Sequence, residues 1–229
     1  DGTPASAVSR MAGLKGGDAA GQMVLNKVLS AIEHARAAGF DPHQGQIKLN
    51  AVMTKSGNAD QLIGLAALAR ERGLELRLIE FMDVGNRNGW NPETVLTADE
   101  IVKTIDQHWP LEALQRQPHE TTLRWRYRDG HGRLSVIASI TSPFCGDCNR
   151  LRVTADGKAF TCLFATPESG VDLRPFLDIN SDSWDLRNCL SHIWLQRKNR
   201  YSEERAALQS LGSTLQSVDS RAEMAYLGG

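Results

Sequence analysis

Residues 46–81, "QIKLNAVMTKSGNADQLIGLAALARERGLELRLIEF", decide the fold. The first eight alternate as a strand does. Ile47, Leu49 and Ala51 fall on one face, and Lys48, Asn50 and Val52 on the other. Residues 58–73 then take helical spacing, with Asn58 as the expected N-cap and Gly73 as the stop. "LELRLIEF" (74–81) is a second strand. Two strands joined through a helix pair in parallel, so this stretch predicts a βαβ unit.

The flanks extend the series. Residues 22–38 predict a helix with Leu25, Val28, Leu29, Ile32 and Ala35 on one stripe and Gly39 just past its end. Residues 1–21, with "GLKGGDAAG", read as a plain loop, because the glycine spacing fits neither common phosphate motif. Residues 96–109 predict a helix opened by the capping box Thr97-x-x-Glu100. Beyond it the pattern changes. "HETTLRWRYRD" and "GRLSVIASI" flank "DGHG" as a hairpin, "RLRVT" and "KAFTCLF" flank "ADG" as another, and 171–211 are helical in period. The tail "SRAEMAYLGG" has no strong period. The expected class is α/β. Residues 1–112 are expected to form parallel βα units, and an α+β region fills 113–229.

Composition narrows the function. The 229 residues are 41% hydrophobic and 23% charged, with a net charge of -1, which excludes a large electrostatic field for nucleic acid or an anionic membrane. No apolar run is long enough to span a bilayer. The start, "DGTPASAVSR", has neither the charged nor the apolar region of a signal peptide and reads as a cut inside a longer protein. Four cysteines, three of them clustered, fit metal binding in a reducing compartment, hence a cytoplasmic chain, better than a disulfide framework.

That cluster lies in "FCGDCNRLRVTADGKAFTCLF", residues 144–164. Cys145 and Cys148 flank a turn, and Cys162, thirteen residues on, is expected on the far strand of the hairpin, so the three sulfurs can converge. Thiolates so gathered repel one another unless a cation sits among them, and zinc or an iron–sulfur cluster would supply it. A zinc site needs a fourth ligand, from Cys189 or His192. Cys189 instead matches the apolar stripe of Leu186, Leu190 and Ile193 and reads as a packing residue. Three ligands leave one metal position open, which invites a substrate. Arg150 and Arg152, two apart on an expected strand, would share a face as a fork for phosphate; the alternative is two solvated strand arginines.

Further candidates come from the βαβ unit. Should its strands belong to a βα barrel, Lys48 and Asn50 face the lumen, where an anionic ligand would offset the ammonium; the alternative is an edge strand with an exposed lysine. Glu80 and Met82 fall at the carboxyl end of the second strand, where barrel enzymes place their sites.

Together, "KLNAV", "LRLIEFMDVGNRNGW", residues 144–164, "VDLRPFL" and the terminal "GG" resemble the GTP 3′,8-cyclase family of molybdenum cofactor biosynthesis, radical S-adenosylmethionine enzymes. The resemblance implies an incomplete (β/α)6 TIM-type barrel followed by a region that closes it. It implies two [4Fe–4S] clusters. One, held by CxxxCxxC, cleaves S-adenosylmethionine; the other, held by three cysteines, binds the GTP base. By matching motifs, Cys145, Cys148 and Cys162 would hold the second cluster, and Lys48, Arg150, Leu151 and Arg152 would contact GTP. Met82 would contact S-adenosylmethionine, and Gly228 and Gly229 would form a tail reaching the active site. A homodimer and delivery of product to the cyclic pyranopterin monophosphate synthase are also implied. No CxxxCxxC occurs here, so the chain is expected to carry the GTP-binding portion and not to generate the radical alone. The opposing reading is a zinc-stapled binding module without catalysis.

Overall fold

The structure, a computed structural model, describes residues 1–85, 89–117, 119–178, 182–210 and 221–227, the side chains of 206–210 excepted. It divides into two units: residues 1–82 with 91–142, and residues 83–90 with 143–229.

In the first unit, β1 (Lys48–Met53), β2 (Glu75–Glu80) and β5 (Arg133–Ile137) run parallel, and β4 (Leu123–Tyr127) and β3 (Leu111–Leu114) continue the sheet antiparallel. The order is β1-β2-β5-β4-β3, which leaves β1 at an edge. The expected boundary at 112/113 differs from this division, since the β4–β5 hairpin shares a sheet with β1 and β2. Burial explains the difference. Leu134 and Val136 of β5 are fully buried in one core with Leu76 and Leu78 of β2, so the hairpin has no separate core to nucleate. Each such aliphatic side chain contributes ~2 kcal/mol when buried.

The helices α1 (Ala5–Met11), α2 (Gly17–Ala37), α3 (Leu62–Glu71) and α4 (Ala98–Asp106) belong to this unit. α3 buries Leu62, Leu65, Ala66 and Ala69, an i, i+3, i+4, i+7 stripe. It stops where predicted: Gly73 takes φ 66°, its amide reaches Arg70 O, and the Leu74 amide reaches Ala69 O. Gly39 (φ 95°) ends α2 in the same way. This paired bonding satisfies the last carbonyls and needs a left-handed residue. The Thr97–Glu100 capping box is present on α4.

Two expectations fail locally. Residues 1–21 are not a plain loop. They form α1 and the first turns of α2, which cross so closely that a Cβ on Gly21 would meet Ala5 O. Asn58 is not a side-chain cap. It is fully buried, donates from Nδ2 to Val52 O (2.8 Å) and Asp1 O (2.9 Å), and accepts the Thr54 amide at Oδ1 (2.9 Å). It thus ties the end of β1 to its outgoing turn.

In the second unit, β6 (Arg152–Val153), β7 (Lys158–Phe160) and β8 (Val171–Asp172) form a small antiparallel sheet. Helices α5 (Ser183–Leu195) and α6 (Tyr201–Ser210) follow. The helical reading of 171–211 therefore begins too early, since 171–172 pair with β7, Arg174–Phe176 form a single 3-10 turn, and α-helix starts only at 183. Phe160, Ala222 and Leu227 form a core here, joined by Tyr226. Asp83 binds both Arg205 (2.7 Å) and Arg221 (3.3 Å) and accepts the Tyr201 hydroxyl (2.6 Å). Burial, with the Asp83 carboxylate, pushes the Tyr201 phenol up to about 12. Among the described residues no helix is long and apolar enough to cross a membrane.

Candidate functional site

The cysteine run sits in the second unit. Cys145 and Cys148 close a turn, the Cys148 amide reaching Cys145 O at 3.3 Å. Two groups far along the chain grip that turn. Arg197 donates to Cys148 O (2.8 Å) and Cys145 O (3.2 Å), and Glu203, paired with Arg200, accepts the Gly146 amide (2.9 Å). No local spacing points to Arg197 or Glu203: both fall inside the stretch read as helical, and the structure puts Arg197 two residues past α5 and Glu203 on α6. Cys162 lies two residues past the end of β7, not on the strand, and its sulfur accepts the Phe164 amide at 3.4 Å.

All four cysteines are free and half-buried. Burial raises the Cys162 thiol, and the charges of Cys145 and Cys148 push it the same way. Burial also works to raise Cys148, but bonds from the Arg150 backbone and guanidinium, and the charges of Arg150 and Arg197, bring it below its ordinary value. The donor set fits a thiolate-bound metal in chemistry and in neighbourhood. Among the described residues, however, no three Cys, His, Asp or Glu side chains are gathered closely enough to hold an ion. Cys189 lies half-buried on α5, a helix without a buried residue, so it does not pack as a core residue would.

The arginine pair is also placed differently from the reading. Only Arg152 belongs to β6, so strand alternation does not set Arg150 beside it. Arg150 instead donates from Nε to Cys148 Sγ (3.3 Å) and lies over the Phe144 ring (5.0 Å). Arg152 is half-buried. Desolvation and the Arg150 charge lower its pKa, and the Cys162 and Cys148 sulfurs pull it back up. Leu151 is exposed between them.

In the first unit, Lys48 and Asn50 are exposed, on the side of β1 opposite buried Ala51 and Met53. Register sets Lys48 against Glu75 and Asn50 against Arg77, so Arg77 shares their face; the sequence reading overlooked it. Glu80 is no lumen group. It is fully buried on the helix side, and its carboxylate accepts the amides of Ala98, Ile140 and Thr141 and the Thr141 hydroxyl, at 2.5–2.9 Å. Met82 lies two residues beyond β2 and is half-buried. Gly228 and Gly229 lie outside the described residues.

A family model described as Molybdenum Cofactor Synthesis C matches residues 74–203, more than half the chain and the whole cysteine run. The chain belongs to the Molybdenum Cofactor Synthesis C family. Proteins named GTP 3′,8-cyclase are similar to this family member along its length. That of Synechococcus sp. (strain CC9902) is 57% identical over 229 residues, covering 100% of this chain and 64% of the relative. That of Synechococcus sp. (strain WH7803) is 55% identical over 222 residues, covering 97% and 60%. That of Acidothermus cellulolyticus is 45% identical over 225 residues, covering 90% and 60%. The chain thus spans less than two thirds of the length of these relatives.

Proposed function

We propose that the chain is the GTP-recognising portion of a GTP 3′,8-cyclase of molybdenum cofactor biosynthesis. The carrying observation is the cysteine turn: Cys145 and Cys148 stand free on it, Cys162 lies on the segment after β7, and Arg150 sits on the Cys148 sulfur with Arg197 on the turn's carbonyls. Cys145, Cys148 and Cys162 would hold a [4Fe–4S] cluster. Bound there, it would offer an open iron position to the guanine base. The chain's own share is recognition. Arg150 and Arg152 would meet phosphate oxygens, Leu151 would pack against the nucleotide, and Lys48, with Arg77 on the same sheet face, would add positive charge for the triphosphate. Met82 would contact S-adenosylmethionine, and Gly228 and Gly229 would complete the site.

In this reading the parallel strands β1, β2 and β5, with α3 and α4 between them in sequence, are units of an incomplete (β/α)6 barrel. A CxxxCxxC cluster and S-adenosylmethionine would start the radical reaction in the complete enzyme, so this chain alone binds GTP without converting it. The complete enzyme would act in the reducing cytoplasm as a homodimer and pass its product to the cyclic pyranopterin monophosphate synthase.

Anaerobic reconstitution with iron and sulfide tests the proposal. The expected product is brown, absorbs near ~400 nm through thiolate-to-iron charge transfer, and binds GTP. Stoichiometric zinc without iron, in protein indifferent to GTP, would overturn it in favour of a zinc-stapled module.

A further inference from the structure

A polar cavity lies at the amino ends of β2 and β5, in the first unit. It encloses about 290 Å³ and is lined by Pro42, His43, Gly45, Glu75, Arg126 and Arg133, among others. Glu75 and Arg133 are the first residues of their strands and are register partners, so their side chains leave the same face of the sheet side by side. Opposite charges so placed ordinarily pair. These do not: no ion pair joins them, and the Arg133 side chain makes no hydrogen bond or ion pair among the described residues. Glu75 is 5% exposed, and its Oε1 is occupied by the Ser135 hydroxyl (2.7 Å) and Arg77 Nη2 (3.4 Å). Its Oε2 accepts no hydrogen bond among the described residues. That oxygen and Arg133 Nη1 lie 3.6 and 3.8 Å from the point where a side chain on Gly45 would begin. With no Cβ at Gly45, the space between the charges stays open, and Arg126 at the rim is already held by Glu112.

We propose that this cavity binds a small zwitterion, a free α-amino acid, with its ammonium on Glu75 Oε2 and its carboxylate on Arg133. A buried carboxylate with an unused oxygen favours a cationic partner, and an unpaired guanidinium favours an anionic one. A cavity of this volume admits a molecule carrying both charges a few bonds apart. The cavity belongs to the first unit, and its Glu75 is bonded to Arg77 and is the register partner of Lys48, the two residues given above to the triphosphate.

The test uses the whole chain, with backbone amide shifts of His43, Gly45 and Gly132 as the readout. The probes are glycine, alanine, glutamate and lysine, then N-acetylalanine and alanine amide, which each lack one charge. At least one free amino acid is expected to shift these amides at ~10 mM, and each blocked form to bind about tenfold more weakly. Glu75→Gln and Arg133→Ala should each weaken binding by a similar factor. Arg133 is exposed, so its variant decides the matter even where the buried Glu75 variant does not fold. No shift with any probe, blocked forms that bind like the free ones, or an Arg133→Ala protein that binds like the parent would overturn the proposal. GTP displacing the amino acid from these amides would also overturn it, by assigning the cavity to the nucleotide.

Discussion

At the scale of single residues, charge decides both the site and the scaffold. Arg150 and Arg152 differ in setting, one over Phe144 against a sulfur and the other half-buried, so their removal should differ in degree. Arg150→Ala and Arg152→Ala are each expected to weaken GTP binding by ~1–3 kcal/mol, the range for a lost charged hydrogen bond. Calorimetric titration of reconstituted protein measures this, and unchanged affinity in both variants removes the phosphate role. Glu80 makes the opposite kind of contribution. Its four bonds serve the amides of Ala98, Ile140 and Thr141 and the Thr141 hydroxyl. Glu80→Gln turns an amide toward donors that need an acceptor, and should cost about 3 kcal/mol in urea unfolding. A loss under ~1 kcal/mol would show that the surroundings relax around the amide.

At the scale of elements, α4 shows how a short signal carries through. Thr97 and Glu100 are legible as a cap from sequence because the two partners of the capping box lie three residues apart. The Thr97 amide and hydroxyl, with the Lys55 ammonium, hold the Glu100 carboxyl down at about 2 against an ordinary 4.5. Because the folded-state value is depressed, the stability it gives is present above about 4.5 and is lost as pH falls towards about 2. A Glu100→Gln variant should lose that part of the acid dependence, and Thr97→Ala should cost ~1 kcal/mol at neutral pH. Chemical denaturation between pH 2 and 6 would check both. The same locality explains what sequence conveyed and what it did not. Strands β1, β2, β4 and β5 and the stops at Gly39 and Gly73 follow from alternation and turn chemistry. The grip of Arg197 and Glu203 on the cysteine turn crosses about fifty residues, and nothing local encodes it. Arg150 and Cys162 were misplaced because β6 and β7 are only two and three residues long, so strand rules applied to their neighbours fail.

At the scale of the whole molecule, two units with different interiors imply two levels of protection. The first joins three parallel strands to α3 and α4 through a continuous aliphatic core, whereas α5 of the second buries no residue. Hydrogen exchange is expected to be slowest in β2 and β5 and faster by orders of magnitude in α5, since openings there expose little apolar surface. Uniform protection across both would contradict this division. The Glu80 carboxylate bears on the route of the chain as well as on the core. By holding Ile140 and Thr141 it fixes the polypeptide just before Ser142, the last residue of the first unit, and four residues ahead of Cys145. A lesion at that carboxylate would unmoor the departure point of the cysteine run and masquerade as a defect in nucleotide capture, though every residue assigned to capture were intact.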